Sequence, residues 1–321
     1  MTNNNWKPGA SLEVLKLSAA LRACVRDYMH EQNVLEVITP ALSIATTTNP
    51  NIHSLQVADR YLHTSPEFAM KRLLAVYSTD IYQMANVFRD GEIGRFHNAE
   101  FTLLEWYRVG MNHLALIADV SALMQRVFEL FNRPWVAPEN VRYTDAVSRV
   151  CKIPFDKIGV TDIERVFSQH QRSYPNAIGD DRDAAMDLLM DEFVVPKFSD
   201  DCVTYVVEYP ASQAALARIG QDRNQKPVAE RFEMYCGTVE LANGFHELSD
   251  AIEQRTRFEQ EQRVRAARGQ RKVRLDENLL SALAHGLPDC AGVALGLDRL
   301  MLVLAGADHI DDVLAFSGGR A

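Results

Sequence analysis

Two strand-type runs joined by a polar loop constrain this fold more than any other feature of the sequence. Residues 81–88 read IYQMANVF and residues 100–109 read EFTLLEWYRV, and both are rich in β-branched and aromatic residues. The polar loop RDGEIGRFHNA joins them, so they predict an antiparallel hairpin. Because the other strand-type runs are also mostly joined without regular helical crossovers, the sequence predicts an α+β fold: an antiparallel β-sheet flanked by helices.

The helix signals are local. Ser11 can cap a helix that runs to about residue 32, where Asn33 is placed to stop it. Ser65, Pro66 and Glu67 stand at the N-cap, the first helical position and the first turn of the next helix. Residues 34–40 predict a strand that ends at a proline. Further helices are predicted over 111–132, 161–194, 249–269 and 276–286, and from Asp298 as N-cap to Gly306.

Composition narrows the class of protein. With 34 basic and 43 acidic residues the net charge is −9, which is evidence against a nucleic-acid partner, whose binding depends on many Lys/Arg–phosphate contacts. The five cysteines are scattered without a CxxC motif, as is typical of reduced thiols. Charged residues interrupt the most apolar stretch, 279–307, and the N-terminus lacks an apolar signal segment. We expect no membrane span and a cytoplasmic location, with an N-terminal tail over residues 1–10 and a single domain over 11–321.

The segment 231–243 carries two glutamates in a predicted hairpin. If Cys236 and Gly237 form a two-residue turn, Glu233 lies directly opposite Glu240. Like charges in such a pair repel each other, and the pairing makes sense if a cation lies between them. Oxygen ligands without nearby thiols or histidines indicate Mg²⁺. The alternative is that both glutamates face solvent and a longer loop changes the register.

Further along the same strand, Asn243, Phe245 and Glu247 alternate and share one face. An amide, an aromatic ring and a carboxylate on one face can hold an ammonium group. An ordinary edge strand with a solvated Glu247 is the alternative interpretation.

The loop after residue 88 and the strand that follows carry groups suited to a nucleotide. Arg89 can offer a bidentate fork to a phosphate, His97 and Asn98 can meet a base edge, and Phe101 can stack on a base.

Near the C-terminus, GVALGLDRL places Arg299 in the first turn of a helix, which is a favourable anion site. A solvated arginine over a core helix is the alternative. The sequence has neither GxxxxGK[ST] nor GxGxxG, so a P-loop or a dinucleotide-binding turn is excluded. Glu105 and Tyr107 are two residues apart and therefore share a strand face.

These motifs resemble those of class II aminoacyl-tRNA synthetases. The strand ending in Pro40, the Arg89 hairpin and GLDRL are similar to motifs 1, 2 and 3 of that class. SPE, RFHNAEFTLLEWY and ELANGFHELSDA resemble the lysyl-tRNA synthetase branch, over nearly the whole chain. Because the chain has no room for the anticodon-binding domain of that branch, it most resembles the stand-alone paralogues, the elongation factor P–(R)-β-lysine ligases.

The resemblance implies roles for the nucleotide residues. Arg89 would bind the α-phosphate of ATP, Asn98 would read adenine, and Arg299 would meet the γ-phosphate. Glu233 and Glu240 would bind Mg²⁺. The residues implied in ATP binding are Arg89, Asp90, His97, Asn98, Phe101, Glu233, Gly296 and Arg299, with Arg89 and Arg299 also catalytic.

It also implies an amino-acid pocket. Its residues would be Ser65, Pro66, Glu67, Glu105, Tyr107, Glu240, Asn243, Phe245, Glu247 and Ala294. Two positions depart from the expected patterns: Gly91 replaces the acidic residue usual in motif 2, with Glu92 next to it, and Ala294 replaces the glycine of lysyl-tRNA synthetases. A single added methyl group is typically worth about 1–3 kcal/mol in discrimination, which can favour a β-amino acid over α-lysine.

The resemblance implies an ATP-dependent ligase that forms an aminoacyl-adenylate and transfers it to a lysine of elongation factor P. Its ligands would be ATP, Mg²⁺ and a small amino acid, its assembly a homodimer, and tRNA would not be its partner. The alternatives are a truncated lysyl-tRNA synthetase that uses L-lysine and a non-catalytic amino-acid-binding module.

One charge run stands outside these motifs. It is a solvated helix face or a steering patch for a protein or RNA partner. Its basic residues are Arg255, Arg257, Arg263, Arg265, Arg268, Arg271, Lys272 and Arg274.

Overall fold

The computed structural model describes residues 6–321 and divides the chain into two compact units. Unit 1 combines the chain up to Trp135 with the segment Gly244–Ala321, and unit 2 is the segment Val136–Asn243. Residues 1–5 of the predicted N-terminal tail lie outside the described residues. Within the tail, the backbone N–H groups of Gly9 and Ala10 donate to carbonyls of the segment 314–315 at 2.9 Å. The single catalytic domain over 11–321 stays a prediction.

The helices and strands of the described residues are numbered in chain order. The helices are α1 (Leu12–Glu31), α2 (Glu67–Tyr77), α3 (His113–Leu130), α4 (Tyr143–Cys151), α5 (Val160–Gln169), α6 (Arg182–Leu189), α7 (Ala251–Ala267), α8 (Glu277–Gly286) and α9 (Leu297–Ala305). The strands are β1 (Leu35–Glu36), β2 (Leu42–Ser43), β3 (Gln56–Val57), β4 (Arg60–Leu62), β5 (Ile81–Phe88), β6 (Glu100–Val109), β7 (Glu139–Arg142), β8 (Val203–Pro210), β9 (Ile219–Gln221), β10 (Pro227–Cys236), β11 (Val239–His246) and β12 (Cys290–Gly296).

The central strands of unit 1 lie in the order β1-β5-β6-β12. The predicted hairpin is confirmed, because β5 and β6 pair antiparallel over their whole lengths. Strand β12 pairs antiparallel with β6 on the other side and places Ala294 opposite Glu105 and Gly292 opposite Tyr107. Directly opposed residues point their side chains to the same face, so this register builds one surface from two strands that are distant in sequence.

The other face of β6 anchors the core of unit 1. Trp106 is fully buried, and its indole N–H donates to Asp119 Oδ2 of α3 at 3.0 Å. The hydroxyl of Tyr28 on α1 donates to Asp119 Oδ1 at 2.8 Å. Because the polar tips of these buried rings have a common acceptor, α1, α3 and β6 are held in a fixed arrangement behind the surface described above.

Unit 2 has its own core. Strand β8 pairs parallel with β7 and antiparallel with β10, and β9 pairs antiparallel with β10. Helices α4, α5 and α6 contribute Tyr143, Phe167 and Met186 to a buried apolar cluster. The sheets of both units are mostly antiparallel, so the predicted α+β fold is confirmed.

The strand predicted over 34–40 is much shorter in the structure, because β1 covers only Leu35 and Glu36. The chain nevertheless continues along β5. The N–H of Val37 donates to the carbonyl of Tyr82 at 2.8 Å, and the N–H of Thr39 donates to the side chain of Gln83 at 3.1 Å. The side-chain oxygen of Gln83 thus takes the place of a backbone carbonyl as the next acceptor along the β-ladder.

The predicted turn at Cys236-Gly237 is wrong by one residue. Strand β10 includes Cys236 and β11 begins at Val239, so the turn is formed by Gly237 and Thr238. Gly237 has a φ of 54°, and a glycine suits this left-handed position.

This shift changes the expected pairing of the two glutamates. A two-residue turn at 237–238 pairs Tyr235 with Glu240, so Glu233 is diagonal to Glu240 and not directly opposite it. Both carboxylates still belong to one face of the hairpin. Glu240 pairs with Tyr235, and Tyr235 and Glu233 are two residues apart on the same strand. The direct cross-strand repulsion on which the metal argument depended is therefore absent from this register.

Two of the predicted helix signals are confirmed and one is wrong. Ser11 Oγ accepts from the N–H of Val14 at 3.2 Å, and Asn33 adopts a left-handed φ of 56° just after α1. Asp298 does not cap α9, whose N-cap is Gly296. Its carboxylate accepts from the N–H of Thr102 on β6 at 2.7 Å. Within residues 6–321, no helix has both the length and the hydropathy needed to cross a membrane.

Candidate active site

A buried set of charged side chains lies over β6 and β12 in unit 1. We call Glu67, Lys71, Glu105, Tyr107 and Glu247 the carboxylate pocket. Helix α2 supplies the first two, β6 the next two, and the residue after β11 the last. Glu105 is 2% exposed and Glu247 is 1% exposed. Because buried carboxylates are costly unless they are paired, each one requires an account of its partner.

The start of α2 presents Glu67. The hydroxyl of Ser65 accepts from the N–H of Glu67 at 3.3 Å, and the carbonyl of Pro66 accepts from Met70 at 3.0 Å. The helix itself begins at Glu67 with Pro66 as its N-cap, one residue later than predicted, although the capping bond is made by Ser65. The predicted SPE start thus fixes the position from which Glu67 points.

Lys71 is the cation of the carboxylate pocket, and the sequence analysis missed it. Its Nζ lies 2.7 Å from Glu67 Oε1 and 2.7 Å from Glu247 Oε2. Burial by itself would lower the pKa of Lys71, but the carboxylates of Glu247 and Glu67 outweigh it, so this pKa lies above its ordinary value. The spacing of Glu67 and Lys71, four residues apart on one helix, was the signal available in the sequence.

Glu105 has no such direct cation contact. The hydroxyl of Tyr107 donates to its Oε1 at 2.7 Å, which confirms that the two residues share a strand face. Oε2 of Glu105 is buried and has no hydrogen-bond partner among the described residues. Burial, followed by the charge of Glu67, raises the pKa of Glu105 to about 8. At neutral pH this carboxyl is therefore mostly protonated.

Two small residues of β12 form the floor beside these groups. Ala294 lies opposite Glu105, and Gly292 lies opposite Tyr107. A Cβ at Gly292 would collide with the ring of Tyr107 and with the carboxylate of Glu247. Gly292 is thus a second residue that the sequence analysis missed, because its requirement arises from residues that are distant in sequence.

A second cluster, the arginine cluster, lies at the end of the β5–β6 hairpin and consists of Arg89, Glu92, His97, Phe101 and Arg299. The guanidinium of Arg89 lies over the ring of Phe101 at 5.0 Å, and its Nη1 lies 3.3 Å from Glu92 Oε1. Glu92 is therefore the carboxylate that contacts Arg89 in this chain. Gly91 turns the chain here with a φ of 79°, a conformation that suits glycine.

Arg299 lies in the first turn of α9 and meets the same hairpin. Its Nη2 donates to His97 Nε2, with 2.6 Å between the atoms, and its Nε donates to the carbonyl of Phe96 at 3.3 Å. Burial and the positive charge of Arg299 lower the pKa of His97. A neutral imidazole with Nε2 as acceptor fits this contact. Because Arg299 contacts the hairpin that carries Arg89, both arginines belong to one cluster.

Asn98 is engaged within the chain. Its Nδ2 donates to the carbonyl of Glu100 at 2.6 Å, and its Oδ1 accepts from the N–H of Gly318 at 3.0 Å. Its role as the reader of adenine stays a prediction, as do those of Asp90 and Gly296.

The predicted metal pair lies in unit 2. Glu233 accepts from the hydroxyls of Tyr209 at 2.6 Å and Tyr235 at 2.7 Å, and from Arg231 at 2.5 Å and Asn243 at 3.3 Å. A carboxylate has about four acceptor sites, and these four donors fill them. Glu240 lies close enough to raise the pKa of Tyr235, although burial and Glu233 contribute more.

The chemistry of this pair suits a hard cation, but the arrangement fits magnesium only in part. A metal ion reaches Glu233 only after one of its donors leaves, and Arg231 places a positive charge beside it. We therefore derive no step through a metal at this pair. Asn243 retains a buried Oδ1 without a hydrogen-bond partner among residues 6–321, and it joins the Glu233 cluster.

Phe245 and Glu247 follow in unit 1, with Phe245 half-buried and Glu247 buried. The alternative of a solvated Glu247 on an ordinary edge strand is wrong, because this carboxylate is 1% exposed and pairs with Lys71.

The charge run on and after α7 is largely used within the chain. Arg255 pairs with Glu277 at 2.5 Å, and Arg265 is buried and donates to backbone carbonyls. Arg268 donates to the side chain of Asn51 at 2.7 Å. These contacts favour the structural interpretation over a steering patch.

Comparisons with known proteins agree with this geometry. The family model described as tRNA synthetases class II (D, K and N) matches residues 7–319. The chain is 42% identical to the elongation factor P–(R)-β-lysine ligase of Vibrio parahaemolyticus, over 97% of this chain and 98% of that protein. It is 41% identical to the protein of that name from Vibrio cholerae, over 100% of both chains. The protein of that name from Salmonella dublin is 42% identical over 98% of both chains.

Proposed function

We propose, from the premise that this chain belongs to the class II tRNA synthetase family (D, K and N), that it uses ATP to activate (R)-β-lysine and transfers it to a lysine of elongation factor P. The relatives carry the name of that ligase. Each is 41–42% identical to this chain over nearly its whole length. The resemblance found in the sequence and the family found by comparison are therefore the same.

The observation that carries the substrate class is the carboxylate pocket. The pocket contains three glutamates and one lysine. Within it, Oε2 of Glu105 is buried without a hydrogen-bond donor among the described residues. An unsatisfied buried acceptor is costly, and a substrate ammonium group would satisfy it. A charge-assisted contact of this kind is among the strong ones, which supports an amino acid that carries more than one amine.

The arginine cluster supports the activation step. Arg89 is stacked on Phe101, and Arg299 stands at the N-terminus of α9, where the helix dipole also favours an anion. Two fixed cations of this kind stabilise the charge that develops on transferring phosphate groups. We assign Arg89 to the α-phosphate of ATP and Arg299 to the γ-phosphate, as in the family pattern.

The reaction then follows in two steps. A carboxylate oxygen of the amino acid attacks the α-phosphorus of ATP, pyrophosphate leaves, and an aminoacyl-adenylate forms. The unprotonated ε-amine of a protein lysine attacks the acyl carbon, the bond to AMP breaks, and an amide forms with loss of one proton. Since no protein nucleophile is required, the chain contributes positioning and charge.

A homodimer and a cytoplasmic location complete the proposal. Strand β1 lies at the end of the strand order in unit 1, and beside it Leu35 is 57% and Ile38 is 91% exposed. An exposed apolar edge of this kind suits pairing with a second copy. Sedimentation of Ile38→Asp against the wild type tests it, and an unchanged molecular mass at micromolar concentration would contradict it.

Magnesium is proposed as a cation that the reaction requires, and Glu233 and Glu240 would hold it once one of the four donors to Glu233 has left. A Glu240→Gln variant tests this assignment through the magnesium concentration needed for half-maximal adenylate formation. An unchanged requirement would remove Glu240 from the metal site.

The experiment that tests the function is ATP–pyrophosphate exchange by the purified protein, with (R)-β-lysine and L-lysine compared side by side. We expect faster exchange with (R)-β-lysine, followed by AMP release when elongation factor P is added. Faster exchange with L-lysine would favour a lysyl-tRNA synthetase-like enzyme. No exchange with either amino acid would contradict the activation step and favour a binding module.

A further inference from the structure

Lys71 stands at the centre of the carboxylate pocket, and the proposed chemistry gives it no task. Its side chain is 2% exposed, and its ammonium group contacts one carboxylate from α2 and one from the residue after β11. The contact to Glu67 lies within one helix, whereas the contact to Glu247 ties that helix to a distant part of unit 1. A buried cation placed in this way fixes the positions of both carboxylates.

The three glutamates of the pocket differ in one respect. Glu67 and Glu247 each lie 2.7 Å from Lys71 Nζ, whereas the one donor to the Glu105 carboxyl among residues 6–321 is the neutral hydroxyl of Tyr107. Desolvation disfavours the charged form of a buried carboxyl group, and an adjacent cation restores it. At Glu105 the effect of burial therefore acts without a cation in direct contact to offset it.

We propose that Lys71 is a positioning residue of the amino-acid pocket: it holds Glu67 and Glu247 in place, and it leaves Glu105 as the carboxyl group that exchanges a proton when a cationic amino acid binds. This inference rests on the proposed function. Arrival of an ammonium group at Glu105 expels its proton, and the carboxylate of Glu105 then pairs with the substrate cation.

Other charged groups facing this set are accounted for. The Tyr107 hydroxyl keeps its proton, because burial and Glu105 raise its pKa well above the ordinary value. Glu261 of α7 is an acidic residue outside the pocket. Its carboxylate accepts from the hydroxyl of Thr48, and burial raises the pKa of Glu261. The titratable and charged groups concerned are Glu67, Lys71, Glu105, Tyr107, Glu247 and Glu261.

The first test compares Lys71→Met with Lys16→Met, a matched change at an exposed lysine of α1. Loss of the buried cation removes the 2.7 Å contacts that hold Glu67 and Glu247 in place, so we expect KM for (R)-β-lysine to rise at least about tenfold while KM for ATP changes less than about twofold. Lys71→Arg, which keeps the charge, should recover part of the loss. Equal changes in both KM values, or none in either, would show a purely structural role and overturn the inference.

The second test uses the wild-type protein and does not depend on the folding of a variant. Calorimetric titration with (R)-β-lysine at pH 7, in buffers of different ionisation enthalpy, counts the protons released on binding. After correction for the ionisation of the amino acid itself, we expect about one proton. A count near zero would show that Glu105 does not exchange, and a count near two would show that a second carboxyl group exchanges as well; either overturns the inference.

The two proposals fail in different ways. If the wild-type protein shows neither exchange nor heat of binding with (R)-β-lysine, the proposed function is wrong. If the wild-type protein binds and Lys71→Met retains the wild-type KM, only the assignment of Lys71 is wrong.

Discussion

The carboxylate pocket and the arginine cluster, both in unit 1, handle charge in contrasting ways. In the pocket, the side chains of Lys71 and Glu247 are 2% and 1% exposed and that of Glu67 is 16% exposed, and Lys71 meets both carboxylates at 2.7 Å. In the arginine cluster, Arg89 and Glu92 are about one quarter exposed and lie 3.3 Å apart. Buried pairs are strongly coupled to folding, whereas exposed pairs contribute little to it. Changes in the pocket should therefore affect stability and binding together, and changes in the arginine cluster should affect chemistry far more than stability.

The largest expected effect is on catalysis in the arginine cluster. Arg89→Ala removes a fixed cation at the phosphate, and the loss of one such stabilising group typically costs about 10²- to 10³-fold in rate. The rate of pyrophosphate exchange should fall by that amount, while stability should fall only by the roughly 0.2–1 kcal/mol expected for loss of a partly exposed ion pair. Arg172→Ala, a change at an exposed arginine of unit 2, is the control. Full exchange activity in Arg89→Ala would remove Arg89 from the reaction.

The next effect compares one ion pair from each region. Glu247→Gln leaves Lys71 with a single carboxylate, and removing one partner of a buried ion pair costs about 3–5 kcal/mol of the free energy of unfolding. Glu92→Gln breaks a partly exposed pair, for which about 0.2–1 kcal/mol is expected. Urea denaturation of the two variants measures both. Equal losses would mean that the contrast in burial has no energetic consequence.

The features that the sequence predicts correctly are those that depend on neighbours along the chain. The β5–β6 hairpin and the shared face of Glu105 and Tyr107 follow from alternation, and the bounds of both strands agree with the prediction. The pair of Lys71 with Glu247 was missed, because it joins a helix to a residue far along the chain and leaves no periodic signal. The turn was misplaced because a glycine indicates a left-handed residue but does not say whether it stands first or second in the turn.

The third effect depends on pH. Because the pKa of Glu105 is raised to about 8 in the folded protein, the unfolded chain loses this proton at lower pH than the folded chain does. Its contribution to stability is complete below the unfolded pKa and is lost as pH rises towards the folded pKa, by up to about 1.4 kcal/mol per pH unit. Glu105→Gln cannot lose a proton, so its stability relative to the wild type should increase between pH 5 and pH 8.

Thermal denaturation of the ligand-free proteins across this range measures the difference. Glu129→Gln, on the exposed face of α3, should follow the wild-type profile. A constant offset between Glu105→Gln and the wild type from pH 5 to pH 8 would show that Glu105 is ionised throughout.

The smallest effect concerns the floor of the pocket. Ala294 lies opposite Glu105 on β12, so its methyl group occupies space beside the carboxyl that we expect to meet a substrate amine. Since one methyl group is worth about 1–3 kcal/mol in discrimination, Ala294→Gly should lower the preference for (R)-β-lysine over L-lysine by at least about tenfold in kcat/KM. Ala291→Gly makes the same change on the opposite face of β12 and should leave the preference unchanged. Equal effects of the two variants on this ratio would mean that the loss of a β12 methyl acts through the strand as a whole, and the pocket floor would then have no part in choosing between an α- and a β-amino acid.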